Sequence, residues 1–465
     1  MRNQTLIFTL GGFLPAAFNL LFLPAYSFFL TPEDFGLFGY VISFQSILIV
    51  ITVLSLNSFM LRDFFVKDND YKNQELFGTI FLFLFLFNII FIGCLILVAP
   101  YFVDLLSDAI PYRPYFLLMI LSLFFEFLFI FPLIIFRVQK LAKYYVLFVT
   151  SKQIVTFVIA IIAINNYEAG ILGRFIGILA ANIIFSFLSL YIIYKNSILI
   201  FKPRIIRKGL LFSIPILPAA LIVSIQVSID KLLLINYIPL EQLGLYTLAA
   251  SLASIINFLS LGYYRANEPV IFEAFNKENF ANKIENIIKF FLILVIWASL
   301  LLVLFAKDIL DVFFNNEFYY AYVYIPWFVF ALVLNGQRTM LGSVLYAFNI
   351  TKYDLPLVII SLIIYLISFF SLTPYFGIYG ALISLIISSL AYLISTMFLV
   401  RSHVKIKHYL FFSIPCLIMI IILSFIFELT FLTNIQTIMF KILLAFFVTY
   451  RLFIYLKNNP EIIPS

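Results

Sequence analysis

The chain has 465 residues, of which 64% are hydrophobic and 11% charged, and its mean hydropathy is +1.13. A water-soluble domain carries about 25% charged residues, so a soluble enzyme is excluded, and the continuous apolar runs exclude an alternating transmembrane β-barrel. The net charge of +7 is spread between the apolar runs, so it marks membrane topology and no nucleic-acid partner.

A helix needs roughly 20 apolar residues to cross the hydrocarbon core. Fourteen such spans follow in chain order, near 6–30, 37–61, 76–101, 115–137, 144–164, 171–194, 209–236, 243–264, 287–306, 322–347, 355–373, 378–400, 409–428 and 434–456. The first run is too long for the apolar region of a cleavable leader and is taken as a span. With a cytoplasmic N-terminus, 22 of the 29 Lys and Arg residues fall in inside connections, and only Arg113 and Lys307 fall in outside ones. That asymmetry predicts a multi-pass protein with both termini cytoplasmic.

No connection is long enough to form a domain. The longest, 265–286, reads as a short amphipathic helix at the cytoplasmic surface. Cys94 and Cys416 sit in apolar runs, which predicts buried packing and no disulfide. His403 and His408 lie in a basic loop, leaving few ligands for a metal. With no phosphate-binding loop and no soluble transferase domain, neither enzyme activity nor a cofactor is expected.

Three local matches recur at nearly one offset. LTPEDFGLF at 30–38 matches IPLEQLGLY at 238–246, FRVQKLAKY at 136–144 matches LYAFNITKY at 345–353, and GILG at 170–173 matches GIYG at 377–380. The offsets are 208, 209 and 207, and each match holds the same place relative to the spans. The repeat unit is therefore six spans. An even number gives both halves one orientation, related by an axis along the membrane normal. The predicted division is 1–208 for the first six-helix bundle, 209–401 for the second, and 402–465 for two additional helices. Glu33/Gly36 and Glu241/Gly244 are read as turns that restart a helix, with glycine supplying backbone freedom.

Several of these features carry a resemblance. Pro15 and Pro24 in span 1, TPEDFGLF at 31–38, FRVQKLAKYY at 136–145, and SIPILP, SIDKLLL and PLEQLGLYTLA between 213 and 249 resemble the polysaccharide-transporter branch of the multidrug/oligosaccharidyl-lipid/polysaccharide exporter superfamily. Within it the nearest likeness is to Wzx-type O-antigen flippases. The resemblance implies an all-α fold of two six-helix bundles around a central cavity, with two peripheral helices, in the bacterial inner membrane. It implies that an undecaprenyl-diphosphate-linked oligosaccharide, the O-antigen unit of lipopolysaccharide or a related surface polysaccharide, crosses the membrane by alternating access. A proton or sodium gradient would drive it. Partners would be the lipid-linked oligosaccharide, membrane lipids, and the polysaccharide polymerase and chain-length machinery. The alternatives are a drug or metabolite-cation antiporter and a peptidoglycan-precursor flippase of the same superfamily. The basic bias inside the spans weighs against the cation antiporter. A polymerase or ligase would carry a large periplasmic loop, and no outside loop is long.

A lipid with a diphosphate needs a cationic path. An ionised side chain at the bilayer centre costs roughly 2.5–3.5 kcal/mol on insertion scales, so such residues face a bundle interior and mark pathways. Arg338 stands in a polar patch, NGQRT, in the middle of span 10 and is the first candidate for substrate binding, with a structural pair to an acid or a backbone carbonyl as the other reading. Arg174 near the outer end of span 6 and Lys152 in span 5 are further candidates, as are Arg62 and Arg265, which end the equivalent spans 2 and 8. For Arg174 snorkelling is the plainer reading, and for Arg62 and Arg265 ordinary topological anchoring. Glu126 in span 4 and Asp230 with Lys231 in span 7 are candidates for ion coupling or gating; a static pair with a basic residue is an equal reading for Glu126. Pro215 and Pro218 break span 7, as a hinge or as a static kink. Lys441 in span 14 is expected near the inner face or reaching the interface.

Overall fold

A computed structural model describes residues 14, 17–66, 71–106, 110–166, 169–275, 280–348, 350–404, 410–429 and 434–458. Those residues form helices and turns, with no strand among them. Twelve helices among the described residues are long and apolar enough to cross a membrane. Two shorter apolar helices, Ala17–Ser27 and Ser413–Leu423, stand at the expected first and thirteenth spans. The exposed faces are themselves apolar: Leu86, Ile89, Ile90, Leu97, Phe187 and Tyr191 are all open. In water that surface would be unstable; against lipid it is the normal exterior. Cys94 lies on such an exposed face and Cys416 is half-buried, so neither is the buried side chain the apolar runs predict.

The chain divides into two compact units, Met1–Gly244 and Leu245–Ser465. The first contains α1 (Ala17–Ser27), α2 (Pro32–Val53), α3 (Leu56–Asp63), α4 (Asn73–Leu106), α5 (Leu117–Val138), α6 (Ala142–Asn166), α7 (Ile171–Asn196), α8 (Pro203–Ser213) and α9 (Leu217–Leu234). Its boundary lies beyond residue 208, where the sequence repeat restarts, because α8 and α9 pack on α3, α4 and α2.

Two expected spans are broken. The run 37–61 starts earlier, at Pro32, and stops at Leu54 and Ser55, both with positive φ, before α3 resumes. The break frees carbonyls, and side chains take them up: Asn88 Nδ2 donates to Thr52 O at 2.9 Å and Ser213 Oγ to Ser55 O at 3.2 Å. The run 209–236 is two helices. Pro215 sits in the turn between α8 and α9, and Pro218 occupies the first turn of α9, where its missing N–H costs nothing.

Thr31 caps α2 reciprocally. Its backbone N–H donates to Asp34 Oδ2 at 3.0 Å, and its hydroxyl accepts from Asp34 N at 3.3 Å. The glycines after it have a different reason from the one expected. A Cβ on Gly36 would lie 2.1 Å from Leu240 O, and one on Gly244 would lie 1.7 Å from Pro32 O. They are required because two backbones touch there.

The second unit contains most of α10 (Leu240–Ala274), then α11 (Phe280–Phe313), α12 (Ile325–Ala347), α13 (Asp354–Phe376), α14 (Ile378–Arg401), α15 (Leu410–Leu429) and α16 (Asn434–Asn458). Within the stretch expected to be a separate amphipathic helix, 265–274 continue α10 and 280–286 begin α11. α10 has 35 residues and α11 has 34, so each runs about 50 Å, well past a hydrocarbon core of about 30 Å. α16 is tied to α11 by Lys441, which is buried with Nζ 2.5 Å from Asp308 Oδ2. The carboxylate supplies a counter-charge to Lys441, which the sequence alone placed near the inner face or reaching the interface.

The repeat is visible inside each unit. Gly170 precedes α7 at φ 52°, ψ −136°, and Gly377 precedes α14 at φ 54°, ψ −128°, a region essentially confined to glycine. Gly173 then lies against Ile164 and Gly380 against Thr373, so each lets its helix close tightly on the one before.

Candidate functional site

Each unit holds a partly buried polar cluster that joins the fourth and fifth spans of a repeat. In the first unit these are α5 and α6. Glu126 on α5 lies 3.9 Å from Lys152 Nζ on α6, and Lys152 also sits 4.1 Å over the Phe129 ring. Gln45 on α2 donates from Nε2 to Glu126 Oε2 at 2.6 Å and reaches Ser122 Oγ at 3.3 Å. The structure thus brings together one coupling candidate and one substrate-binding candidate as an ion pair.

In the second unit the polarity is reversed. The cation, Arg338, is on α12 and the acid, Asp354, begins α13; Arg338 Nη2 pairs with Asp354 Oδ1. Tyr346 Oη donates to Asp354 Oδ2 at 2.9 Å, and the guanidinium lies 4.0 Å over the Tyr392 ring. Tyr264 Oη donates to Glu268 Oε1 at 2.6 Å. Arg338 Nε and Tyr392 Oη are buried and have no hydrogen-bond partner among the described residues.

Arg174 belongs to neither cluster. Its guanidinium is enclosed by Tyr26, Phe35 and Phe38, at 4.5, 5.4 and 3.6 Å from their ring centres. That aromatic enclosure replaces the snorkelling geometry expected near a span end. Arg62 is exposed and lies 4.8 Å over Phe212. Arg265 is exposed. Asp230 is buried on α9 with Lys231 half-buried beside it. α9 packs there against α2, where Ser46 and Ser228 hydroxyls meet at 2.5 Å.

Asp354, Gln45, Tyr346 and Tyr392 were not singled out in the sequence. Gln45 could have been found as an amide inside an apolar run, and Asp354 as an acid abutting span 11 on the side where bases predominate. The tyrosines could not, among 28 of their kind.

Outside the spans, Lys208 on α8 pairs with Asp63 Oδ1 at 2.8 Å and with Tyr71 Oη at 3.1 Å. Partial burial pulls the ammonium pKa down, but the Asp63 and Tyr71 contacts outweigh it, and the pKa is raised overall.

No curated protein matches the chain by sequence. Among solved structures, the lipid II flippase MurJ in an inward closed conformation is similar at 14% identity and TM-score 0.70, covering 98% of this chain and 99% of that one. An inward-facing multidrug resistance MATE transporter of the MOP superfamily is similar at 17% identity and TM-score 0.70, over 83% and 94% of the two chains. A variant of the Vibrio cholerae MATE transporter VcmN is similar at 13% identity and TM-score 0.64, over 86% and 96%. These likenesses establish the exporter fold. The sequence model described as polysaccharide biosynthesis protein matches residues 1–275, more than half of the chain, and the chain belongs to that family.

Proposed function

We propose that the chain is a flippase for a lipid-linked oligosaccharide. Its substrate is an undecaprenyl-diphosphate carrier of the O-antigen or a related surface-polysaccharide unit, and its site is the bacterial inner membrane with both termini cytoplasmic. The observation that carries this reading is Arg338, a guanidinium in the middle of a span with an unused buried N–H, in a family named for polysaccharide biosynthesis. An arginine fork is suited to phosphate oxygens, and a permanent charge in that position is costly without a task. The likeness to a lipid II flippase supports a lipid-diphosphate substrate. Lys152 is the second cation placed for the anionic headgroup. The interruption between α8 and α9 at Pro215 supports a hinge for alternating access. Glu126 and Asp230 are the acids available to couple movement to a proton or sodium gradient.

The test is genetic. In cells whose only copy carries Arg338→Ala, surface glycan is lost while the protein remains in the membrane. Normal glycan in that strain would remove Arg338 from the pathway. Efflux of cationic compounds without a glycan defect would favour the antiporter alternative.

A further inference from the structure

Arg338 is both the best anion-binding group in the second unit and already bound to an anion. We propose that Asp354 is an internal counter-anion that masks Arg338 and is exchanged for a phosphate oxygen when the diphosphate arrives. The inference rests on the flippase reading and adds a mechanism for loading and release at the same guanidinium.

The geometry favours exchange over a permanent bridge. Only Nη2 of the guanidinium is engaged by Asp354, while Nε, buried, has no partner. The Tyr392 hydroxyl, whose ring lies beneath the guanidinium, is likewise buried and unsatisfied. Two orphan donors in one cluster are an uncommon expense in a folded interior, and both favour an acceptor with more oxygens than the carboxylate brings. A phosphate can take Nε and Nη2 together as a fork.

The pair is also asymmetric in exposure. The Asp354 side chain is 38% exposed and that of Arg338 14%. The acid can therefore turn toward solvent while the cation stays. Charge makes that turn necessary. Arg338 and Asp354 together are neutral. A diphosphate added without release of Asp354 would bring two or more negative charges to a guanidinium that the carboxylate already neutralises. When the ligand leaves, the carboxylate closes the site again, so the guanidinium is never left bare in the membrane.

The experiment measures binding of inorganic pyrophosphate to the full-length protein in lipid nanodiscs by titration calorimetry. Asp354→Asn is expected to bind about tenfold more tightly than the wild type, since close charge pairs couple by at least the amount that separates affinities tenfold. Arg338→Ala, alone or with Asp354→Asn, is expected to abolish binding. Should Asp354→Asn fail to fold, Tyr346→Phe provides the same test without a change of charge, with binding two- to threefold tighter. Equal or weaker binding by the Asp354 or Tyr346 variant overturns the exchange while leaving Arg338 an anion site. No binding to any form overturns both the exchange and the role of Arg338 in the flippase reading.

Discussion

Glu126 Oε1 lies 3.9 Å from Lys152 Nζ, while the other oxygen of the same carboxylate accepts from Gln45 at 2.6 Å. The ammonium has little water, with its side chain 11% exposed and lying on a phenylalanine ring. Removing the acid alone would leave that charge uncompensated, a loss bounded by the about 3–5 kcal/mol of a fully buried pair, since the acid is 30% exposed. Glu126→Gln is therefore expected to lower the thermal midpoint strongly, and Glu126→Gln with Lys152→Met to recover most of it. A double variant no more stable than Glu126→Gln, in detergent melting curves, would contradict a paired cluster.

The turns at Gly36 and Gly244 make a second prediction. A Cβ at either would fall within 2.1 Å or less of a backbone carbonyl oxygen. Neither backbone can yield as a flexible side chain would, so overpacking costs at least about 1–3 kcal/mol. Gly36→Ala and Gly244→Ala should each reduce the yield of folded protein. Gly93 on α4 has nothing within 4 Å of its would-be Cβ. Gly93→Ala should hold or raise the melting temperature, by about 0.5–1 kcal/mol of helix preference.

Gly170 and Gly377 test the repeat itself. Both precede a helix with φ near +53° and ψ near −130°, roughly the same conformation. An Ala at Gly170 meets no atom within 4 Å, so its cost is backbone strain alone, of order 1–3 kcal/mol. Gly170→Ala and Gly377→Ala should lower the unfolding midpoint by similar amounts. A cost at one site and none at the other would mean that the two turns are not equivalent.

The legibility of the fold in the sequence came from features that act over a few residues. Apolar length placed the spans, and paired turn motifs revealed the repeat, because both are fixed by local chemistry. The interruptions at Leu54 and Ser55 were not legible, because no Pro or Gly marks them. They are held open by Asn88 and Ser213, which are distant in sequence. The clusters were half legible for the same reason. Glu126, Lys152 and Arg338 stood out as charges in apolar runs, but their partners depend on which helices meet. Gly36 shows a different limit: the need for glycine was visible, and its cause, an opposing carbonyl, was not.

Lys208 predicts a pH dependence. Its pKa is raised in the folded protein by Asp63 and Tyr71, so its contribution is present below the ordinary lysine value near 10.4. It is lost as pH rises through the higher folded value. The side chain is 46% exposed, so the contribution is small, at most about 1 kcal/mol. Lys208→Gln should melt slightly below the wild type between pH 6 and about 9, and the gap should close above about pH 10.5. A gap that widens with rising pH would contradict this sign.

The most direct measurement of the central claim is translocation in a purified system. Vesicles containing only this chain, loaded on one leaflet with a fluorescent glycan on an undecaprenyl-diphosphate anchor, are quenched from outside by a membrane-impermeant reductant. The wild type is predicted to move the label across the bilayer, and Arg338→Ala to slow that movement at least tenfold at equal protein content. Label that crosses no faster with the wild type than in protein-free vesicles, or as fast with Arg338→Ala as with the wild type, would contradict it.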